Sequence, residues 1–289
     1  MYPASFEYYA PSSLDEALSV LERYGDEAKV LAGGQSLVPL LKLRFASPRA
    51  LVDLNGIDGL DELYEDNGML NIGALVRHKA CERSELLRSR YAVLADAAPQ
   101  IADPIVRNRG TVAGSLAHAD PQGDWGSALM AAGAQVQVHG PDGTRTIPLD
   151  NFFLGPFTPA VEPTEIVTWV QVPDPGASAG GAYYKLERKI GDFATAAVGV
   201  HVSFSNGAVE RAGIALTGVG PRNLRAEAAE QALAGQELSD EAIAEAARLA
   251  ADAAEPRDDI RGTAEYKRNV VRIFTERGLR KAAEGREER

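Results

Sequence analysis

The chain has 289 residues, 45% hydrophobic and 25% charged, with a formal net charge of −11. Those values suit one large or two moderate globular domains and argue against nucleic acid or an anionic membrane as partner. A single cysteine, Cys81, excludes an internal disulfide framework and any thiolate-held cluster of the chain's own, and the four histidines carry no HxxxH or HExxH pattern. No apolar run is long enough to span a bilayer, and the opening "MYPASFEYYAPSS" lacks a basic region followed by an apolar stretch, so the expected location is the cytoplasm.

In chain order, Ser13-Leu14-Asp15-Glu16 reads as a capping box, with Leu14, Ala17, Leu18 and Leu21 following at helical spacing. "KVLAGG" (29–34) reads as a strand running into two glycines and then a helix with Pro39 in its first turn. "ALVDL" and "MLNIGAL" read as strands, residues 84–98 as a helical region, and "AQVQVHGPDGTRTIPL" as a hairpin turning at Pro141-Asp142-Gly143. "EIVTWVQV" is a further strand, and "PDPGASAGG" (173–181) is the linker candidate. Beyond it, two alternating strands meet at Asn206-Gly207, a strong hairpin signal. Ala-rich helices are expected over 224–234 and 239–253, an amphipathic helix over 263–283, and a frayed tail at "EGREER". The pattern is α+β, with one domain over residues 1–176 and a smaller one, a sheet followed by helices, over 177–289.

Gly33-Gly34-Gln35-Ser36 matches neither GxGxxG nor GxxxxGK[ST]. Alone, the glycine pair has two readings: a plain turn, or backbone left bare for a ligand phosphate. A second stretch, "IADPIVRNRGTVAGSLAHADPQGDWGSALMAAGA" (101–134), sets Thr111, Ser115, His118, Asp120 and Asp124 among Gly110, Gly114 and Gly123. Polarity this dense is hard to explain by packing, and with Gly33-Gly34 it suggests two loops closing on one polyphosphate. Thr and Ser can donate to phosphate oxygens, whereas Asp124 suits sugar hydroxyls, because like charges repel. Plainer roles stand beside these. Asp120 and Asp124 are each placed to cap a helix, and Arg107 and Arg109 suit phosphate contact or loop-fixing salt bridges equally. Arg77 and His78 read as surface or helix-start residues, His139 and His201 as structural or solvent-facing, Cys81 as a small apolar filler, and Trp125 and Trp169 as core or interface.

"KVLAGGQSLVPLLKLR" together with "VRNRGTVAGSLAHADP" resembles the FAD-binding medium subunit of the molybdenum hydroxylases, the xanthine dehydrogenase and aerobic carbon monoxide dehydrogenase family, over essentially the full chain. The resemblance implies a two-part FAD-binding domain of the vanillyl-alcohol-oxidase (PCMH) type, then a small flavoprotein C-terminal domain. It implies that Ala32, Gly33, Gly34, Gln35 and Ser36 wrap the FAD pyrophosphate, flanked by Val30, Leu31 and Leu37. Thr111, Gly114 and Ser115 form the second phosphate loop, with His118 and Asp120 near the pyrophosphate and ribityl chain. Asp124 takes ribityl hydroxyls. Ile101, Ala102, Val167 and Lys185 lie beside the flavin ring, and Asp192 and Phe193 shield it. The plainer reading of Lys185 is a solvated charge. Gln35 stands where some members carry His, Ala113 where many carry Gly, and Phe193 where some carry Tyr.

The implied FAD is non-covalent, and the chain itself is expected to supply no catalytic acid or base and no metal ligand. The [2Fe–2S] clusters and molybdopterin are expected only in a small and a large partner subunit, in a dimer of heterotrimers that reduces a quinone, oxygen or NAD. Any contact with the inner face of the membrane would run through those partners. Carbon monoxide is the favoured substrate of the whole oxidoreductase, with purines, N-heterocycles and aldehydes as alternatives. A stand-alone flavin oxidoreductase and a docking subunit with a dead flavin site are the competing classes.

Overall fold

The computed structural model describes residues 2–284, so the expected frayed tail lies outside the described residues apart from Glu284. Glu7–Tyr9 (β1), Leu14–Tyr24 (α1), Ala28–Leu31 (β2), Leu37–Leu43 (α2) and Ala50–Asp53 (β3) build the first unit. Its strands lie parallel in the order β1-β3-β2. Ser13 Oγ caps α1 by accepting the Glu16 N–H at 3.2 Å. The Glu16 carboxylate turns back to the Ser12 N–H at 2.8 Å, one residue earlier than the capping box requires. Ala17, Leu18 and Leu21 bury against Ala28, Ala50 and Val52, fixing β2 as the edge strand that delivers the first glycine pair.

Leu63–Asp66 (β4) and Met69–Gly73 (β5) lead into short helices: His78–Arg83 (α3), Glu85–Arg90 (α4), Ala92–Ala97 (α5), Pro104–Arg107 (α6), Val112–His118 (α7) and Asp124–Ala131 (α8). The helix expected over 84–98 is broken at Tyr91 (φ −115°, ψ 64°). That buried side chain turns its hydroxyl to Glu65 at 2.7 Å, a contact an unbroken helix would not aim. Gln135–Gly140 (β6) and Gly143–Pro148 (β7) form the expected hairpin, followed by Phe153–Gly155 (β8), Thr158–Pro159 (β9) and Ile166–Pro173 (β10). β10 inserts between β5 and β6, giving an antiparallel sheet in the order β4-β5-β10-β6-β7.

Ala179–Glu187 (β11), Ala194–Ser205 (β12), Ala208–Thr217 (β13) and Leu224–Arg225 (β14) make the third sheet. The β12–β13 turn uses Asn206 and Gly207 at φ 53° and 87°, as a type I′ turn requires. The linker is shorter than expected, because Gly180 and Gly181 lie inside β11. A Cβ on Gly180 would stand 2.0 Å from the Ala282 carbonyl oxygen, so packing rather than flexibility selects glycine there. Residues 224–225 are strand, not helix, and Glu227–Leu233 (α9), Asp240–Ala253 (α10) and Ala264–Glu284 (α11) follow.

β12 is buried along nearly its whole length instead of alternating, because both faces of the sheet are covered. α9, α10 and α11 pack on one face with Val198, Val200 and Ile214; α5 and α8 pack on the other with Ala197 and Ala215. Every residue of α8 is buried. A Cβ on Gly213 would meet the Ala131 carbonyl oxygen at 1.9 Å, so helix and sheet backbones touch directly. This contact pins α8 to the sheet, and with it Asp124.

Candidate functional site

The two glycine stretches lie against each other. A Cβ on Gly33 would stand 2.3 Å from the Arg109 carbonyl oxygen and 2.7 Å from Gly110 Cα. Gly34 adopts φ 73°, a left-handed conformation that other residues rarely hold. The second loop is held from below by the 76–78 segment: His78 N–H donates to Gly110 O at 3.0 Å, and Val112 N–H to Val76 O at 3.2 Å. Thr111 Oγ1 caps α7 by accepting the Gly114 N–H at 3.0 Å. The glycines therefore serve first to let the loops touch. Ala32 O accepts from Asn55 Nδ2 at 2.9 Å and Arg109 O from Arg77 Nη1 at 2.5 Å, partners with no signature in the sequence.

Among the described residues, the N–H groups of Gly33, Gly34, Gln35, Ser36 and Leu37 donate to no other group of the chain, nor do those of Thr111 and Ala113. The hydroxyls of Ser36 and Ser115 are likewise without a hydrogen bond inside the chain. Unpaired N–H groups on two touching loops could hold an anion, because each carries a partial positive charge and none is engaged elsewhere. Gln35 braces the first loop by donating from Nε2 to Gly33 O at 3.3 Å, and Ala113 is buried.

A second cluster forms around α8. Asp124 is buried; its Oδ1 accepts from the Tyr183 hydroxyl at 2.8 Å and its Oδ2 from Lys185 Nζ at 2.9 Å. Gly123, not Asp124, is the N-cap of α8, and Asp120 instead accepts the Gln122 N–H at 2.9 Å in the preceding turn. The Lys185 side chain is only 1% exposed, which sets aside the solvated-charge reading. Its ammonium also donates to Gln100 O at 2.9 Å and lies 3.3 Å from Glu187 Oε2. The Gln100 carbonyl and two carboxylates thus surround this buried cation. Burial pushes the Asp124 carboxyl up, opposed by the Lys185 charge, and burial with the Asp124 charge pushes the Tyr183 phenol well up.

Ile101 and Ala102 join this cluster. Ala102 is left-handed at φ 45°, and Arg107 Nη1 holds the Ile101 and Ala102 carbonyls at 3.0 and 2.9 Å while its Nε pairs with Glu82 at 2.9 Å. Arg107 is thus a loop-fixing residue. Asp192 and Phe193 end a turn whose Gly191 packs on Ala102, where a Cβ would lie 3.1 Å from its carbonyl. Arg261 donates to Phe193 O at 2.6 Å and Asp192 Oδ1 at 3.1 Å. Glu187 Oε2 and Asp192 Oδ2 are buried acceptor oxygens without a hydrogen bond. Val167 is buried in β10 opposite Val138, in the same apolar core as Ile101 and Tyr183. His118 is half-buried with its ring 5.2 Å from that of Phe157, and burial lowers its pKa. Val30 and Leu31 belong to β2, and Leu37 opens α2.

His78 connects the two clusters. It begins α3 as expected but is buried, and its Nδ1 accepts from Trp125 Nε1 at 2.9 Å. A Cβ on Gly110 would stand 2.7 Å from His78 Nε2, so the ring forms the underside of the second loop. Burial, with Arg107 and Arg77 nearby, lowers the His78 pKa to about 4. The folded state therefore holds His78 neutral while the unfolded chain takes up its proton as pH falls below about 6.5. Stability is expected to fall by roughly 2–3 kcal/mol from this residue between pH 7 and 4. In denaturant titrations, His78→Gln should flatten the pH slope over that range; an unchanged slope would contradict the buried neutral assignment.

Residues 4–175 match the family described as the FAD binding domain in molybdopterin dehydrogenase. The chain belongs to this family. Residues 181–282 match the CO dehydrogenase flavoprotein C-terminal domain. The carbon monoxide dehydrogenase medium chain of Hydrogenophaga pseudoflava is 41% identical over 98% of both chains. The 6-hydroxypseudooxynicotine dehydrogenase complex subunit alpha of Paenarthrobacter nicotinovorans is 38% identical over 98% of this chain and 96% of its own. A solved carbon monoxide dehydrogenase from H. pseudoflava, lacking the Mo-pyranopterin moiety of its cofactor, superposes with a TM-score of 0.95 at 44% identity, over 99% of each chain. The mixed helix-and-sheet chain is thus an FAD-binding electron-transfer subunit of a molybdenum hydroxylase, one component of a multi-subunit oxidoreductase. Among the described residues no helix is long and apolar enough to cross a membrane.

Proposed function

We propose that the chain binds one FAD non-covalently, its pyrophosphate held by the N–H groups of the two touching loops. The observation that carries this reading is the set of unpaired N–H groups on Gly33 to Leu37, Thr111 and Ala113. The ribityl and ring end falls to the Asp124–Lys185 cluster, with Ile101, Ala102, Asp192 and Phe193 at its edge. The buried oxygens of Glu187 and Asp192 face Lys185 at 3.3 Å and Arg188 at 3.6 Å but accept no hydrogen bond within the chain, which leaves room for donors on the cofactor. Because the ammonium of Lys185 is engaged within the chain, its part is to hold Asp124 and the Gln100 carbonyl in place. Bound FAD supplies the electron chemistry; the protein binds and orients it. The fold is read as the vanillyl-alcohol-oxidase (PCMH) type, with the domains dividing near residues 176 and 177.

Electrons are proposed to arrive from a small [2Fe–2S] subunit, itself fed by a large molybdopterin subunit, and to leave for a quinone, oxygen or NAD. The assembly is a dimer of such three-subunit units. Three neighbouring segments support a docking rim at the ring end, each exposing an isoleucine: Ile105 in α6, and Ile190 and Ile260 in turns, are 75, 95 and 92% exposed. Phe193 adds to the same rim. Apolar exposure on this scale suits a surface covered in a complex. Carbon monoxide is the proposed substrate of the whole assembly, supported by the relative that is 41% identical; the second, favoured by the 38% relative, is an organic dehydrogenase substrate.

Acid precipitation of the FAD-loaded chain should release all flavin to the supernatant, and colour left on the pellet would refute the non-covalent site. The chain alone, loaded with FAD and given substrate and an artificial acceptor, should be inactive. Activity should return only with the small and large subunits; turnover by the chain alone would favour a stand-alone oxidoreductase.

A further inference from the structure

We infer that Asn55 and Arg77 are positioning residues that clamp the two glycine loops together in series. The inference rests on the FAD reading above. Among the described residues, no backbone hydrogen bond runs directly between residues 31–37 and 108–115, although the loops are in contact at Gly33. The hydrogen-bonded connection runs through side chains instead. Asn55 Nδ2 donates to Ala32 O at 2.9 Å. Arg77 Nη2 donates to Asn55 Oδ1, and Arg77 Nη1 donates to Arg109 O at 2.5 Å. One carbonyl of each loop is thereby tied to the same two-residue bridge.

The bridge is anchored in the first sheet. Asp53, at the end of β3, accepts from the Asn55 N–H at 2.9 Å and from Asn55 Nδ2 at 2.5 Å. Tyr8 holds the other Asp53 oxygen at 2.5 Å. Arg77 forms no ion pair among the described residues, although Asp58 and Asp61 line the same cleft of about 300 Å³. Its guanidinium spends its contacts on an amide oxygen and a carbonyl, beside the like charge of Arg109. A residue kept for charge alone would turn to a carboxylate. The planar fork spans two acceptors at once, which a lysine ammonium cannot do in the same geometry.

A serial clamp has a signature that separate contacts lack. Breaking either link frees both loops, so a second break adds nothing. The full chain, stripped of flavin, would be titrated with FAD, and amide exchange of residues 32–37 and 109–115 followed without FAD. Asn55→Ala, Asn55→Asp, Arg77→Met and Arg77→Lys are each expected to raise the FAD Kd about tenfold, the scale of a lost polar link. The Asn55→Ala/Arg77→Met double variant should raise it no further. Each single variant should quicken exchange in both loops. A hundredfold rise in the double variant, wild-type affinity in Arg77→Lys, or exchange quickened in one loop only would overturn the clamp. A lowered melting point with unchanged Kd and exchange would also overturn it. Absence of FAD binding by the wild-type chain would instead sink the FAD reading, with loop exchange still deciding the clamp.

Discussion

Gly33→Val is expected to abolish FAD binding, raising the Kd by more than about a hundredfold, on the scale of two or three lost charge-assisted hydrogen bonds. The new Cβ would lie 2.3 Å from the Arg109 carbonyl oxygen and 2.9 Å from its carbon. Those atoms are backbone, so no side chain can swing aside, and the loops must part. Parting them separates the two sets of N–H groups that share one anion. The apolar core under the first loop, built on Ala17, Leu21, Ala50 and Val52, does not use Gly33, so the variant should still fold. Gly114→Val should lose less, because its Cβ meets the Thr111 hydroxyl at 2.6 Å, and that side chain can turn at the cost of a cap, about 1 kcal/mol. Flavin content at equal purity and matched circular dichroism checks the pair. Wild-type flavin in Gly33→Val would refute the placing of the pyrophosphate between the loops.

Lys185→Met is expected to destabilise the chain by about 3–5 kcal/mol, the cost of leaving buried charge uncompensated. Asp124 and Glu187 would both face the vacated site, at 6% and 22% side-chain exposure. Asp124→Asn should cost less, since the new amide oxygen could still accept from Tyr183, and Lys185 would retain Gln100 O and Glu187. Tyr183→Phe removes one hydrogen bond to a charged group, about 1.5–3 kcal/mol. Denaturant unfolding of the full chain orders the three. A Lys185→Met variant within about 1 kcal/mol of wild type would contradict a charged, buried pair. Asp124→Ala should weaken FAD binding less than Gly33→Val, because Asp124 touches neither glycine loop.

Local signals in the sequence were legible where the cause is local. The Ser13 cap, the Asn206-Gly207 turn and the 135–148 hairpin all depend on residues within a few positions of one another. The two glycine stretches were legible as a pair. The reason for Gly33 was not, because what it avoids is a carbonyl on Arg109, 76 positions away along the chain numbering. Gly180 and Gly181 looked like a linker for the same reason: their neighbours are Ala282 and Val200. The break at Tyr91 follows from a partner on β4, and β12 hides its strand period because helices cover both faces. Asn55 and Arg77 carry no motif at all. Asn55 reaches back 23 residues to Ala32, and Arg77 reaches back 22 to Asn55, so only the fold makes them a bridge. His78 read as a surface or helix-start residue, and a solvated charge was the plainer reading of Lys185, because both meet α8 only in the fold: Trp125 and Asp124 lie 47 and 61 positions from them.

The central claim is that affinity for FAD resides in a pyrophosphate cradle formed by two touching loops. Competition binding tests it most directly: the flavin-free full chain is titrated with FAD in the presence of ADP, adenosine or riboflavin. ADP, which carries the pyrophosphate without the flavin, should displace FAD at concentrations where adenosine and riboflavin do not, and FAD should saturate at one per chain. Displacement by riboflavin as effective as that by ADP, or FAD binding indifferent to ADP, would contradict the cradle.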